Sequence, residues 1–153
     1  MREIRGEADG RGRRVCVVAG RFNRLVTERL AGAARRTLVE AGCDPDDVEV
    51  AWVPGAWELP WAARRAVASG YDAVVAVGCV VRGETPHFDY ICDAAAGGLA
   101  EVGADGDAPV TFGVLTCDTM EQALERAGGK HGNKGADAAE AALELLDVGE
   151  RLG

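Results

Sequence analysis

Apolar and polar positions along this chain alternate between two periods. Nearly unbroken apolar runs at Arg14 to Gly20, Val48 to Val53, Ala73 to Val81 and Val110 to Leu115 predict strands, and the segments between them repeat at helical spacing. Asn23 to Ala41 puts Val26, Leu30, Ala34 and Leu38 on one stripe and stops at Gly42. Pro54-Gly55 breaks the second strand. A helix follows from Trp57 to Ser69, with Pro60 tolerable only in its first turn. The next helix runs from Pro86 to about Val102. After the fourth strand, Asp118 is expected to cap a short helix with Glu121 as its capping-box partner, and Gly128-Gly129 ends it. A last helix covers Asn133 to Asp147, with Ala136, Ala139, Leu143 and Leu146 turned inward.

The run from Ala73 to Val81 is too uniformly apolar for a strand with one wet face, so it reads as a central parallel strand covered on both sides. Four strands joined by helical crossovers predict an α/β fold. The expected form is a flavodoxin-like three-layer sandwich, with a parallel four-stranded sheet between helices and residues 1–153 as one domain. In such sheets ligands sit beyond the carboxyl ends of the strands. The exits to examine are Gly20-Arg21-Phe22-Asn23, Pro54 to Glu58, Gly83 to His87 and Thr116-Cys117-Asp118. Together they bring aromatics, a carboxylate and a histidine to one end of the sheet. Thr85 is placed to cap the third helix, and Pro86 suits its first position because the missing N–H is an orphan there. His87, one of two histidines, then falls in the first turn. A helix N-terminus attracts phosphate or carboxylate, and an imidazole beside it can accept or donate a proton. This inventory suits a flat polar ring together with a phosphorylated small molecule.

Composition narrows the field. A net charge of −8 argues against nucleic acid as a partner, and the arginines at Arg2, Arg5, Arg11, Arg13 and Arg14 read as a solvated terminus. No apolar stretch reaches membrane length and no leader pattern is present, which points to the cytoplasm. Five cysteines without C-x-x-C spacing argue against a zinc module or a disulfide framework, and Cys16, Cys79 and Cys117 read as buried, inert thiols. The dinucleotide fingerprint G-x-G-x-x-G is absent. Gly78 to Thr85 nearly matches a P-loop, but Glu84 stands where lysine must neutralise a triphosphate. His87 and His131 lie apart without paired ligands, so no metal is expected and no cofactor is called for.

VPGAWELP at Val53 to Pro60, VRGETPHFDY at Val81 to Tyr90, EQALERAGGKHGNKG at Glu121 to Gly135, and GRFN at Gly20 to Asn23 closely resemble the lumazine synthases of riboflavin biosynthesis, in the family's order and over nearly the whole chain. The resemblance implies condensation of 5-amino-6-(D-ribitylamino)uracil with 3,4-dihydroxy-2-butanone 4-phosphate to 6,7-dimethyl-8-ribityllumazine, phosphate and water. Carried over by position, Phe22 stacks on the pyrimidine, while Ala56, Trp57 and Glu58 hold the ribityl chain. Cys79, Val80 and Val81 offer main-chain hydrogen bonds to the ring edge, and Phe112 lies along the ring. Glu84 and Thr85 bind the phosphate through backbone N–H groups and the Thr85 hydroxyl. Arg126, supplied by the neighbouring subunit, and Lys134 add positive charge, and His87 is the proton donor. The resemblance further implies pentameric rings and a further sheet strand from a neighbour's N-terminus; the short turn Gly128 to Asn133 resembles members whose rings close into a sixty-subunit icosahedral shell, with a lone pentamer as the second expectation and riboflavin synthase as a candidate partner. A non-catalytic lumazine- or flavin-binding or shell-forming protein on the same scaffold is the alternative.

Each residue also has a plainer reading. Phe22 and Phe112 suit a core equally well, Trp57 and Trp61 suit packing of a helix onto the sheet, and packing is preferred for Trp61. Glu58 and Arg126 suit compensation of a helix dipole. Lys130, His131 and Lys134 suit a solvated loop. Two positions depart from the family's common pattern: Glu84 replaces a small residue, and Trp57 replaces phenylalanine.

Overall fold

A computed structural model describes residues 1–153. Four parallel strands, β1 (Val15–Gly20), β2 (Val48–Val53), β3 (Ala73–Val81) and β4 (Val110–Cys117), form one sheet in the order β2-β1-β3-β4. The helices are α1 (Arg24–Glu40), α2 (Leu59–Ala68), α3 (His87–Ala104), α4 (Met120–Glu125) and α5 (Lys134–Leu152). Side chains alternate across the pleat, so Val15, Val17 and Ala19 of β1 meet α1 and α5, whereas Cys16 and Val18 meet α2 and α3. Every residue of β1 is buried, and β3 is buried from Ala73 to Cys79. This is the flavodoxin-like three-layer sandwich that the run of apolar residues predicts.

The stripe Val26, Leu30, Ala34 and Leu38 of α1 is fully buried. On α5 the buried face is turned slightly from the expected one: Ala138, Ala139, Ala142 and Leu143 are buried, with Ala136 and Leu146 at its margin. Pro60 is the second residue of α2, where no intrahelical N–H is needed. Ala56–Glu58 is a separate 3₁₀ turn leading into that helix. The expected cap of α4 is displaced by one residue. Thr119 accepts the Gln122 N–H at 3.1 Å, and the Gln122 side-chain oxygen accepts the Asp118 N–H at 2.9 Å. A reciprocal cap exists, but neither Asp118 nor Glu121 closes it; the Asp118 carboxylate instead receives a hydrogen bond from Arg82. Ala127–Gly129 and Gly132–Asn133 form a small hairpin, β5 and β6, before α5.

The residues before β1 carry no strand. They run along α5: the Glu7 N–H donates to Asp147 at 2.8 Å, Arg2 donates to the Arg151 carbonyl at 3.1 Å, and Arg13 pairs with Glu150 at 2.7 Å. No helix is long and apolar enough to cross a membrane.

Candidate active site

The connection after β1 runs into α1 on one face of the sheet and leads outward to β2, and the connection after β3 runs into α3 on the other face and leads outward to β4. The exits of β1 and β3 therefore diverge, and the crevice that opens there is the expected ligand position. A cleft of about 650 Å³ occupies it. Phe22, Pro54, Ala56, Trp57 and Glu58 line one side, and Cys79, Val80, Val81, Gly83, Thr85 and His87 the other, closed by Phe88, Tyr90 and Ile91 of α3.

Backbone bonds set these walls. Beyond the β1–β2 ladder the Arg21 N–H donates to the Val53 carbonyl at 2.8 Å and the Phe22 N–H to the Pro54 carbonyl at 3.0 Å. Gly20 suits this close approach, because a Cβ would stand 3.0 Å from the Gly55 carbonyl carbon and push the two segments apart by a few tenths of an ångström. Phe22 is thereby held at the mouth with 72 % of its surface exposed, and Trp57, on the same wall, is 58 % exposed. Phe22 is not a core residue. Trp61 is 66 % exposed as well, which overturns the expectation that it packs α2 onto the sheet; Leu59, Ala62, Ala63 and Ala66 fill that interface instead.

The third wall is the turn between β3 and α3. Pro86, rather than Thr85, occupies the N-cap position, and His87 is the first helical residue. Thr85 Oγ accepts the His87 N–H at a long 3.4 Å, leaving the hydroxyl free to turn toward a ligand. The backbone N–H groups of Gly83, Glu84 and Thr85 donate to no group within the chain. Glu84 is exposed and does not line the cleft, so its carboxylate need not oppose an anion bound by its own N–H. The Cys79 thiol is pushed up to about 12, chiefly by burial, and Cys117 is raised by the same cause. Neither is a nucleophile at neutral pH.

A second cavity of about 500 Å³ lies beside the edge strand β4, lined by Val114 to Cys117, Gln122, Arg126, His131, Lys134 and Asp137. It shares no lining residue with the first. Arg126 is oriented by its own helix, donating to the Gln122 carbonyl at 3.0 Å. Phe112, also on β4 and 38 % exposed, lines neither cavity. One chain therefore gathers Phe22, Ala56, Trp57, Glu58, Cys79, Val80, Val81, Thr85 and His87, and leaves Phe112, Arg126 and Lys134 elsewhere. Tyr90, Phe88 and Ile91 are lining residues that the strand-exit argument misses, since they belong to the following helix; their spacing from His87 is the available signal. No three His, Cys, Asp or Glu side chains converge as a metal group.

The parallel sheet, the crevice at its switch point and the anion-type turn define an α/β protein that takes a flat, phosphorylated or polyhydroxylated small molecule. A family model described as 6,7-dimethyl-8-ribityllumazine synthase matches residues 12–150. Proteins of that name from Gemmatimonas aurantiaca, Salinibacter ruber and Lactiplantibacillus plantarum are 59 %, 51 % and 46 % identical, covering 99 %, 92 % and 97 % of this chain and 93 %, 91 % and 94 % of their own lengths. The chain belongs to the 6,7-dimethyl-8-ribityllumazine synthase family.

Proposed function

We propose that this protein condenses 5-amino-6-(D-ribitylamino)uracil with 3,4-dihydroxy-2-butanone 4-phosphate to 6,7-dimethyl-8-ribityllumazine, with release of phosphate and water, in a site shared by neighbouring subunits. The carrying observation is that one cleft combines exposed aromatic faces, a histidine and a turn of unpartnered N–H groups, while the arginine and lysine suited to phosphate stand beside a separate cavity. A second copy completes the first cleft with its own Arg126, Lys134 and Phe112.

Phe22 stacks on the pyrimidine. The Ala56 and Trp57 backbone and the Glu58 carboxylate take the ribityl hydroxyls, and the Cys79, Val80 and Val81 backbone reads the ring edge. The Glu84 and Thr85 N–H groups and the Thr85 hydroxyl hold the phosphate, with Arg126 and Lys134 of the adjoining copy opposite. The amine attacks the ketone to give an imine with loss of one water, phosphate leaves by elimination, the resulting enol tautomerises to a ketone, and the ribitylamino nitrogen closes the ring onto that carbon with loss of a second water. His87 moves protons in these steps. Holding two reactants together supplies about 7 to 11 kcal/mol, against roughly 3 to 5 kcal/mol for proton transfer, so positioning outweighs acid–base help.

The assembly we infer is a pentameric ring, and the short β5–β6 turn, which resembles that of shell-forming relatives, favours closure of rings into an icosahedral shell over a lone pentamer. The protein works in the cytoplasm, with riboflavin synthase as a candidate companion. The test is to mix the purified chain with both substrates and follow lumazine fluorescence, with analytical ultracentrifugation for the assembly. Tight binding of lumazine without turnover would instead mark a carrier.

A further inference from the structure

Arg82 follows β3 directly and precedes the turn that carries Thr85 and His87. Its backbone N–H donates to the Cys117 carbonyl at 2.8 Å, continuing the β3–β4 ladder. Its Nε donates to the Asp118 carboxylate at 2.8 Å, its guanidinium lies 4.4 Å from the centroid of the Phe88 ring, and a terminal nitrogen stands 3.7 Å from Asp89. One side chain thus touches the two residues after His87 and the entry to α4. From there the contacts continue: the Asp118 N–H donates to Gln122 Oε1 at 2.9 Å, and the Gln122 carbonyl accepts from Arg126 at 3.0 Å. An unbroken path joins the first turn of α3 to Arg126.

We propose that Arg82 and Asp118 are positioning residues for the condensation, fixing the anion turn in one site and the entry to the helix that presents Arg126 to the next. This rests on the reading given under Proposed function.

The pair is not there for stability. Arg82 is 50 % and Asp118 65 % exposed, and exposed ion pairs contribute little to folding. The turn, in contrast, has reason to be tied from outside. Its N–H groups bond nothing in the chain, and a side chain added at Gly83 would meet open space. Only a planar guanidinium can bond a carboxylate edge-on while presenting its face to Phe88, which a lysine ammonium cannot do.

The test compares the wild-type oligomer with Arg82→Gln, Arg82→Lys, Asp118→Asn and the Arg82→Gln/Asp118→Asn double variant, each measured for kcat, for KM toward both substrates, for melting temperature and for sedimentation. Arg82→Gln and Asp118→Asn each raise the KM for the butanone phosphate about tenfold, below the hundredfold cost of a full ångström of misplacement. The pyrimidine KM and the sedimentation stay unchanged, and melting shifts by no more than about 2 °C. The double variant is no worse than the weaker single variant, because both break the same link. Arg82→Lys falls between wild type and Arg82→Gln. An unchanged butanone phosphate KM, additive losses, or an equal rise in both KM values with a lowered melting temperature overturns the positioning role. A wild-type protein that forms no lumazine overturns the underlying reading, and the inference with it.

Discussion

The Asn23 side-chain amide donates to the Cys79 carbonyl at 2.9 Å, tying the start of α1 to the tip of β3. Asn23 holds φ 62°, the one non-glycine residue in the left-handed region, and its side chain extends the β1–β3 pairing beyond the last main-chain partner pair, Ala19 and Val77.

Asn23 therefore has two separable roles. Asn23→Gly removes only the hydrogen bond and costs about 1 kcal/mol, whereas Asn23→Ala adds left-handed strain and costs about 2 to 3 kcal/mol in all. Urea titration of both variants is the check, and equal midpoints would show that the conformation carries no cost.

His87→Ala lowers kcat by about 10²- to 10⁴-fold yet leaves measurable turnover, because positioning survives. Arg126→Ala acts mainly on KM for the butanone phosphate, by roughly 1.5 to 3 kcal/mol, a rise of about 12- to 150-fold. Steady-state kinetics separates them. A His87 variant with normal substrate binding and no detectable turnover would contradict the balance argued above.

The two cavities of one chain lead to a complementation experiment. His87→Ala chains retain Arg126, and Arg126→Ala chains retain His87. In rings assembled from equal amounts of both, about one site in four pairs an intact histidine with an intact arginine. Activity well above that of either variant alone is expected after co-refolding. If both groups served one site from the same chain, mixing would restore nothing.

Gly135, in the Asn133-Lys134-Gly135 segment, packs against the Leu30 carbonyl of α1, where an added Cβ has no room. Gly135→Ala is expected to cost about 1 to 3 kcal/mol by overpacking. Gly149, on the same helix with open space around it, is the control, and Gly149→Ala gains about 0.5 to 1 kcal/mol. Denaturation midpoints that move the same way in both would refute this packing account.

Burial raises Cys79 from 9.0 to about 12 and Cys16 from 9.0 to about 11. The unfolded chain releases these protons from about pH 9, while the folded chain keeps them, so their contribution is complete below pH 9 and is lost as pH rises toward 11 to 12. Alkaline unfolding profiles should be flatter in Cys79→Ala than in wild type, and iodoacetamide should modify Cys79 of the folded protein only slowly at pH 8.

Much of this was legible because burial leaves a simple mark in sequence. Val74 to Val77 are apolar on both faces because helices cover both, and Val26, Leu30, Ala34 and Leu38 repeat because one stripe is buried. The exits of β1, β2 and β3 do form one cleft, whereas that of β4, expected to join them, lines the second cavity with Thr116 and Cys117. What stayed hidden depends on competition between near-equal partners. Asp118 and Thr119 are both good caps, and Arg82 draws the aspartate away. Trp61 at helical spacing from Trp57 looks like packing, but Leu59, Ala62, Ala63 and Ala66 occupy the face that meets the sheet. Phe112 and Arg126 reach no partner in the first cleft, and that separation is a matter of three-dimensional arrangement that local pattern does not encode.

The bonds from Arg2 to Arg151 and from Arg13 to Glu150 bring the two extremities of the polypeptide side by side. The fold is thus close to a closed loop. A short bridge between them, with a new opening at the exposed Gly106 turn, yields a rearranged gene whose product keeps the same sheet.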